Sequence, residues 1–354
     1  MRPVGSTLQG SSEVLARRYD VALLDLDGVV YVGRGAVEHA AESLEAVRQL
    51  GMRLGFVTNN AARPPAEVAK HLTELGISAQ SSEVVTSSQA AAHYLADRLD
   101  AGARVLVVGT TGLTEALVER GLTPVDEVGD GVAAVVQGYS PTLSWPQLAE
   151  GAVAIRSGVP WVATNLDRTV PSPRGPLPGN GSMVAALRHA TGESPVVTGK
   201  PDPTMHREMV TRTAAITPLV VGDRLDTDIE GANAASCPSL LVLTGVTSAR
   251  DLLAAPLAHR PTYVAADLRG LLERHPEPVV LDGEATCGAW LARRESGSIL
   301  VHRRDAESSS SALDALRAIC AASWSADVRD DGAPLAVTGA DDAASEILGE
   351  LGFR

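Results

Sequence analysis

The stretch Leu23–Leu24–Asp25–Leu26–Asp27–Gly28–Val29–Val30 sets two carboxylates two residues apart, directly after an apolar run that begins at Val21. Continuous apolar residues suit a strand covered on both faces, as in a parallel sheet, and Gly28 supplies the turn that ends it. Ionisable groups at the end of a buried strand are costly unless they coordinate something or perform chemistry. Such strand ends are where open α/β sheets place their ligand crevice. A capping or turn role for the two acids is the bland alternative, and three further segments weigh against it.

The apolar run Arg53–Val57 ends in Thr58–Asn59–Asn60, a hydroxyl followed by two amides. Thr198–Gly199–Lys200–Pro201–Asp202–Pro203 is a glycine- and proline-punctuated turn that holds a cation. The strand-like run from Leu219 leads into Gly222–Asp223–Arg224–Leu225–Asp226–Thr227–Asp228, with three acids in six residues. In chain order these segments supply a nucleophile, a hydroxyl, an ammonium and a metal-binding cluster. Phosphoryl transfer through an aspartyl intermediate needs that inventory. The chain has only two lysines, Lys70 and Lys200, against 28 arginines. Arginine being the default cation here, Lys200 reads as chosen for its compact, rotatable ammonium. Lys70, in a polar helical stretch, reads as solvated surface.

In order and spacing the four segments resemble the signature of the haloacid dehalogenase superfamily of phosphohydrolases. The long insert between Thr58 and Lys200 resembles the subfamily with a large α/β cap, which includes phosphoglycolate, glycerol-phosphate, pyridoxal-phosphate and nitrophenyl-phosphate phosphatases. The resemblance covers residues 14–277. It implies Asp25 as nucleophile, Asp27 as general acid and then base, and Thr58, Asn59 and Lys200 as phosphoryl-binding groups. It also implies Mg²⁺, held by the Asp25 carboxylate, the Asp27 carbonyl and the Asp223 carboxylate, with Asp228 orienting water ligands or Lys200 and Asp226 less closely tied. Two relatives of the fold fit less well. Dehalogenases do not need an acid such as Asp27, and phosphorylation-receiver domains are shorter and lack a cap. A silent scaffold or ligand sensor is the alternative from outside enzymology.

The net charge of −13 disfavours nucleic acid and anionic membranes as partners. No uninterrupted run approaches the ~18 apolar residues of a membrane span, and the N-terminal stretch lacks a signal-peptide core. The three cysteines, Cys237, Cys287 and Cys320, are odd in number and scattered, which suggests a reducing, cytoplasmic setting. A homo-oligomer is compatible with the resemblance.

Alternating βα patterns predict strands at 21–25, 53–57, 196–198, 218–222, 239–243 and 262–265, with helices across 37–50 and 65–75. They form a doubly wound, Rossmann-like parallel sheet. This divides the chain into a catalytic core (1–88 and 193–277), a cap (89–192) with strands at 104–108, 132–136 and 160–163, and a C-terminal module (278–354). The Gly109–Thr110–Thr111–Gly112 turn reads as a plain strand-to-helix connection, since no Gly-x-x-x-x-Gly-Lys pattern supports a phosphate loop. The segment Ala163–Pro171, followed by a turn-rich stretch to Ser182, reads as a long irregular loop. In the large-cap subfamily such a loop selects the leaving group, which makes Asn165, Asp167, Arg168 and Val170 substrate-binding candidates.

The last module reads as α+β: short strands at 279–281, 288–292 and 298–301, a helix near 311–322, and a closing 346–354 similar to the last helix and strand of Gcn5-related acetyltransferases. No Arg/Gln-x-x-Gly-x-Gly/Ala loop is present to hold a coenzyme A pyrophosphate. A degenerate accessory or oligomerisation module is therefore expected. For substrate, a closed crevice favours a small phosphomonoester. Thr169–Val170–Pro171 offers no aromatic or imidazole ring to stack on a pyridine, which favours glycerol 3-phosphate. Phosphoglycolate, whose carboxylate Arg168 or Arg174 could meet, and pyridoxal phosphate are the alternatives.

Overall fold

The computed structural model describes residues 7–33, 35–170, 174–295, 297–304, 311–325 and 335–353. Pro171, Ser172 and Arg354 lie outside them. The chain forms two compact units, one of residues 1–54 and 215–354, the other of residues 55–214. Among the described residues no helix is long and apolar enough to cross a membrane.

In the first unit, strands Val21–Leu24, Pro218–Gly222, Ser239–Val242 and Tyr263–Ala265 pair in that order, all in parallel. Val21–Leu24 and Ser239–Val242 are buried at every position, as their continuous apolar composition requires when helices cover both faces. The register sets Leu24 beside Val221, and the Asp25 N–H extends the ladder to Val221 O at 2.8 Å. Both acidic segments therefore leave the sheet at the same edge.

The second unit carries its own parallel sheet, in the order Val196–Val197, Trp161–Ala163, Val132–Gln137, Arg104–Val108, Thr123–Val125. One apolar cluster joins it to Ser87–Ala96 and Thr111–Glu119. A second cluster joins the other face to Trp145–Arg156 and Asn180–Thr191. Arg53–Thr58 pairs in parallel with Val84–Thr86, a strand the periodicity did not predict because it is only three residues long. Val196–Val197, expected among the strands of the main sheet, pairs instead with Trp161–Ala163. A two-residue apolar run names no partner. The segment expected to be irregular contains a small ribbon, Thr169–Val170 against Leu177–Pro178.

The C-terminal module is a five-stranded sheet of Val279–Leu281, Glu284–Cys287, Trp290–Glu295, Ser298–Arg303 and Ala336–Gly339, antiparallel except for its last pair. The second and last of these strands were not predicted. Of the closing helix and strand expected over 346–354, the helix is present as Asp342–Glu350, and residues 351–353 after it are turn and coil. Helix Ala312–Trp324 is buried from Ala315 to Trp324, so it has no solvent face. Ala315, Ala318, Ile319 and Ala322 pack on the module's own sheet. Leu316, Cys320 and Trp324, spaced i, i+4, i+8 along one face, pack with Leu241, Leu252 and Val264 of the parallel-sheet layer. Buried Arg317 reaches Asp314 Oδ1 at 2.7 Å and Val264 O at 2.8 Å. The module thus shares a core with the sheet that carries Asp25.

Candidate active site

Three carboxylates converge in the first unit: Asp25, Asp223 and Asp228 each present an oxygen within 4.8 Å of the others. Asp223 is fully buried and Asp228 is 1 % exposed. Anions so close and so dry repel strongly unless a cation joins them. Asp25 is half-buried at the end of its strand. Asp223 Oδ2 accepts the Val246 N–H at 2.7 Å, and its backbone oxygen accepts the Thr247 N–H at 3.2 Å. Asp228 Oδ2 accepts the Arg224 N–H at 3.1 Å, while Leu225–Ile229 forms one π-helical turn, a local widening common at functional sites.

Glycines shape this pocket. At Gly28, whose φ is +87°, an added Cβ would lie 2.6 Å from Asp223 Oδ2, and one at Gly245 would also collide with that carboxylate. One at Gly222 would strike the Asp228 side chain. The space around the carboxylates is therefore reserved by sequence. Thr244 Oγ1 donates to Gly28 O at 2.6 Å, tying the loop after Ser239–Val242 to the first acidic turn. Asp27 is exposed on that turn, and its carboxylate is not part of the trio. Asp226 is exposed and held by both arms of Arg224, at 3.1 and 2.9 Å.

The second unit gathers most of the remaining candidates. Lys200 is 4 % exposed, and its Nζ donates to Val57 O at 3.3 Å. Thr58, 2 % exposed, accepts the Asn60 N–H on Oγ1 at 3.1 Å. Asn59 is the hub. Its Oδ1 accepts the Lys200 N–H at 2.9 Å, and its Nδ2 donates to Lys200 O at 3.2 Å and to Asp167 Oδ2 at 3.4 Å. The Asn59 carbonyl accepts Ser87 Oγ–H at 2.7 Å and Asn165 Nδ2–H at 2.8 Å. The sequence reading gave the Asn59 amide to phosphoryl oxygens; in the structure both of its polar atoms hold the Lys200 backbone.

Asn165, 3 % exposed, also receives the Asp167 N–H at 3.1 Å, and its carbonyl receives Asn180 Nδ2–H at 2.8 Å. Arg168 is exposed and Val170 half-buried in the ribbon, and neither joins the Asn59 hub. Sequence reasoning missed Ser87, Asn180, Thr244 and Gly245. The run Leu240–Thr244–Gly245, apolar residues ending in a hydroxyl and a glycine, is a strand-end signal like the others and could have identified the last two. Nothing local marks Ser87 or Asn180.

Comparisons with known proteins place the chain among phosphatases. A haloacid dehalogenase-like hydrolase model matches residues 22–123, a HAD-hydrolase-like model residues 197–271, and a GCN5-related N-acetyltransferase-like domain model residues 287–353. A D-glycerol 3-phosphate phosphatase of Mycobacterium tuberculosis is 48 % identical over 339 residues, 94 % of each chain. The 5'-nucleotidase YutF of Bacillus subtilis is 38 % identical over 65 % of this chain and 90 % of its own. The crystal structure of a glycerol phosphate phosphatase from Mycobacterium tuberculosis in complex with magnesium superposes with a TM-score of 0.87 at 46 % identity, covering 97 % of this chain and all of that one. A p-nitrophenyl phosphatase from Archaeoglobus fulgidus gives 0.66 at 30 % identity over 72 % of this chain and 98 % of its own.

Proposed function

This chain belongs to the haloacid dehalogenase-like hydrolases, and from that premise we propose that it is a Mg²⁺-dependent phosphatase that hydrolyses glycerol 3-phosphate through an aspartyl-phosphate. The trio of Asp25, Asp223 and Asp228 carries the reading. Its hard oxygen donors, with Gly28 and Gly245 letting the backbone approach the Asp223 carboxylate closely, fit Mg²⁺. Asp25 and Asp223 would hold the ion, together with the Asp27 carbonyl, and Asp228 would orient what surrounds it. When bound, the metal offsets the repulsion between a carboxylate and a phosphoryl dianion.

Asp25 attacks phosphorus and releases the alkoxide. Asp27, exposed on the turn that follows, protonates that leaving group and then takes a proton from the water that cleaves the acyl phosphate. Thr58 and Lys200 supply a hydroxyl and an ammonium to the phosphoryl oxygens. Asn59 holds Lys200 in place. Asn165 and Asp167, bound to that hub, and Arg168 and Val170 are the leaving-group candidates that the family resemblance assigns. The mycobacterial relative supports glycerol 3-phosphate, and phosphoglycolate and pyridoxal phosphate are the competing substrates.

A panel of phosphomonoesters ranked by kcat/KM, with and without chelator, tests the proposal. Glycerol 3-phosphate should rank first and chelation should abolish turnover. A higher rank for phosphoglycolate, pyridoxal phosphate or a nucleotide replaces the substrate, and full activity in chelator refutes the metal.

A further inference from the structure

The module helix Ala312–Trp324 shares an apolar cluster with segments that flank the carboxylate trio. Its stripe of Leu316, Cys320 and Trp324 packs in one cluster with Ile229, Leu241, Ala249 and Leu252, and half-buried Leu225 and Leu243 lean on the same cluster. Several members of this cluster adjoin groups that shape the site. Ile229 follows Asp228. Leu225 lies in the π-helical turn between Arg224 and Asp226. Leu243 precedes Thr244, which fastens Gly28 O, and Ala249 opens the short helix just after Val246 and Thr247, whose N–H groups hold Asp223. Two polar bonds fix the helix: Trp324 Nε1 donates to Leu253 O at 3.3 Å and Arg317 to Val264 O at 2.8 Å.

We propose that the Leu316–Cys320–Trp324 stripe is a positioning element for the metal-binding carboxylates. It rests on the proposed function. The stripe touches no substrate. It acts by fixing the backs of two loops, 225–229 and 243–249, so that the Asp223 and Asp228 carboxylates stay at the spacing a small, geometrically demanding cation requires. Close packing transmits a lost side chain to its neighbours. This would give the acetyltransferase-like module a task that needs no coenzyme.

Calorimetric titration of Mg²⁺ into full-length protein tests this without relying on turnover. Leu316→Ala should weaken Mg²⁺ binding about 10-fold, the low end of what losing outer support of a metal site costs. Leu316→Met should restore it. Ile319→Ala, a cavity of the same kind in the cluster that packs on the module's own sheet, should lower Tm comparably and leave Mg²⁺ affinity unchanged. Should Leu316→Ala fail to fold, Cys320→Ala carries the same expectation at smaller amplitude. Equal Mg²⁺ affinities in wild type and folded stripe variants, or equal losses in both cavity variants, would overturn the proposal. A wild-type protein that binds no Mg²⁺ would instead overturn the proposed function.

Discussion

The carboxylates of the first unit and the lysine of the second are held in opposite ways. Asp25 continues a fully buried strand and bonds the neighbouring strand through its own backbone, while Asp223 and Asp228 are fenced by glycines that leave no room for a methyl group. Lys200 belongs to no strand. It lies on a turn where the amide of Asn59 clasps its N–H and its C=O together, while the Thr198 N–H bonds Ala163 O at 3.2 Å. Strand-end placement is redundant, because ladder and packing both specify it. Turn placement depends on individual hydrogen bonds, with the Asn59 amide bonding both Lys200 backbone groups, so the two regions should fail differently when perturbed.

The largest effect is expected at the nucleophile. Asp25→Asn preserves size and backbone bonding, so thermal unfolding should change little while turnover falls at least ~10³-fold. Near-normal activity in protein free of wild type would remove the assignment. Next comes the glycine fence. Gly245→Ala drives a methyl group against Asp223, and a displacement of that order costs about 10²-fold in rate; raised Mg²⁺ should recover part of the loss. Wild-type kinetics in that variant would show that the carboxylate is not held tightly.

Asn59→Ala should remove the bonds to both Lys200 backbone groups, at a net cost of about 0.5–1.5 kcal/mol per bond, with a roughly 10-fold loss of kcat/KM as the ammonium drifts. Asn59→Asp keeps the acceptor, removes the donor and places a carboxylate beside Asp167, so it should be no better than alanine. Rescue by aspartate would mean that accepting the Lys200 N–H is enough.

The smallest effect concerns the bonds between the parallel sheet and the C-terminal helix. His275 is buried; Nε2 lies 2.8 Å from Gly270 O and Nδ1 lies 3.4 Å from Arg317. Burial pushes its pKa below the ordinary value and Arg317 adds to that, against the opposing pull of the Gly270 carbonyl and Asp314. The folded state therefore binds protons less readily than the unfolded chain. His275 contributes full stability above the unfolded pKa of ~6.5, and loses it progressively as pH falls through that value toward the folded one. Unfolding midpoints from pH 7.5 down to 5.5, taken as approximate settings around that pKa, should fall more steeply in wild type than in His275→Gln. Parallel curves would exclude the histidine as the cause. The thiol of Cys287, pushed up to about 12 by burial and by Asp314, should stay silent in the same range.

What could be read from the chain follows the same division. Runs such as Val21–Leu24 and Leu219–Gly222 announce buried parallel strands because burial on both faces leaves a continuous apolar signature, and the acids at their ends stand out against it. The hydrogen bonds of Asn59 could not be read. Those to Lys200 join residues 141 positions apart, and no local pattern distinguishes an amide that binds phosphate from one that binds a backbone. Val196–Val197 was expected in the wrong sheet for a related reason, since parallel partners are chosen by tertiary packing. The module helix was legible as a helix, but its second apolar face, Leu316–Cys320–Trp324, merges in sequence with the face that serves its own sheet.

The most direct measurement is the mass of the peptide carrying Asp25 after acid quench of a single turnover with nitrophenyl phosphate and Mg²⁺. Asp27→Asn should accumulate a phosphoryl adduct on Asp25, because nitrophenolate leaves without an acid while hydrolysis lacks its base; Asp25→Asn should show none. Phosphate released at the wild-type rate with Asp25 never modified, or an adduct on another residue, would contradict the account.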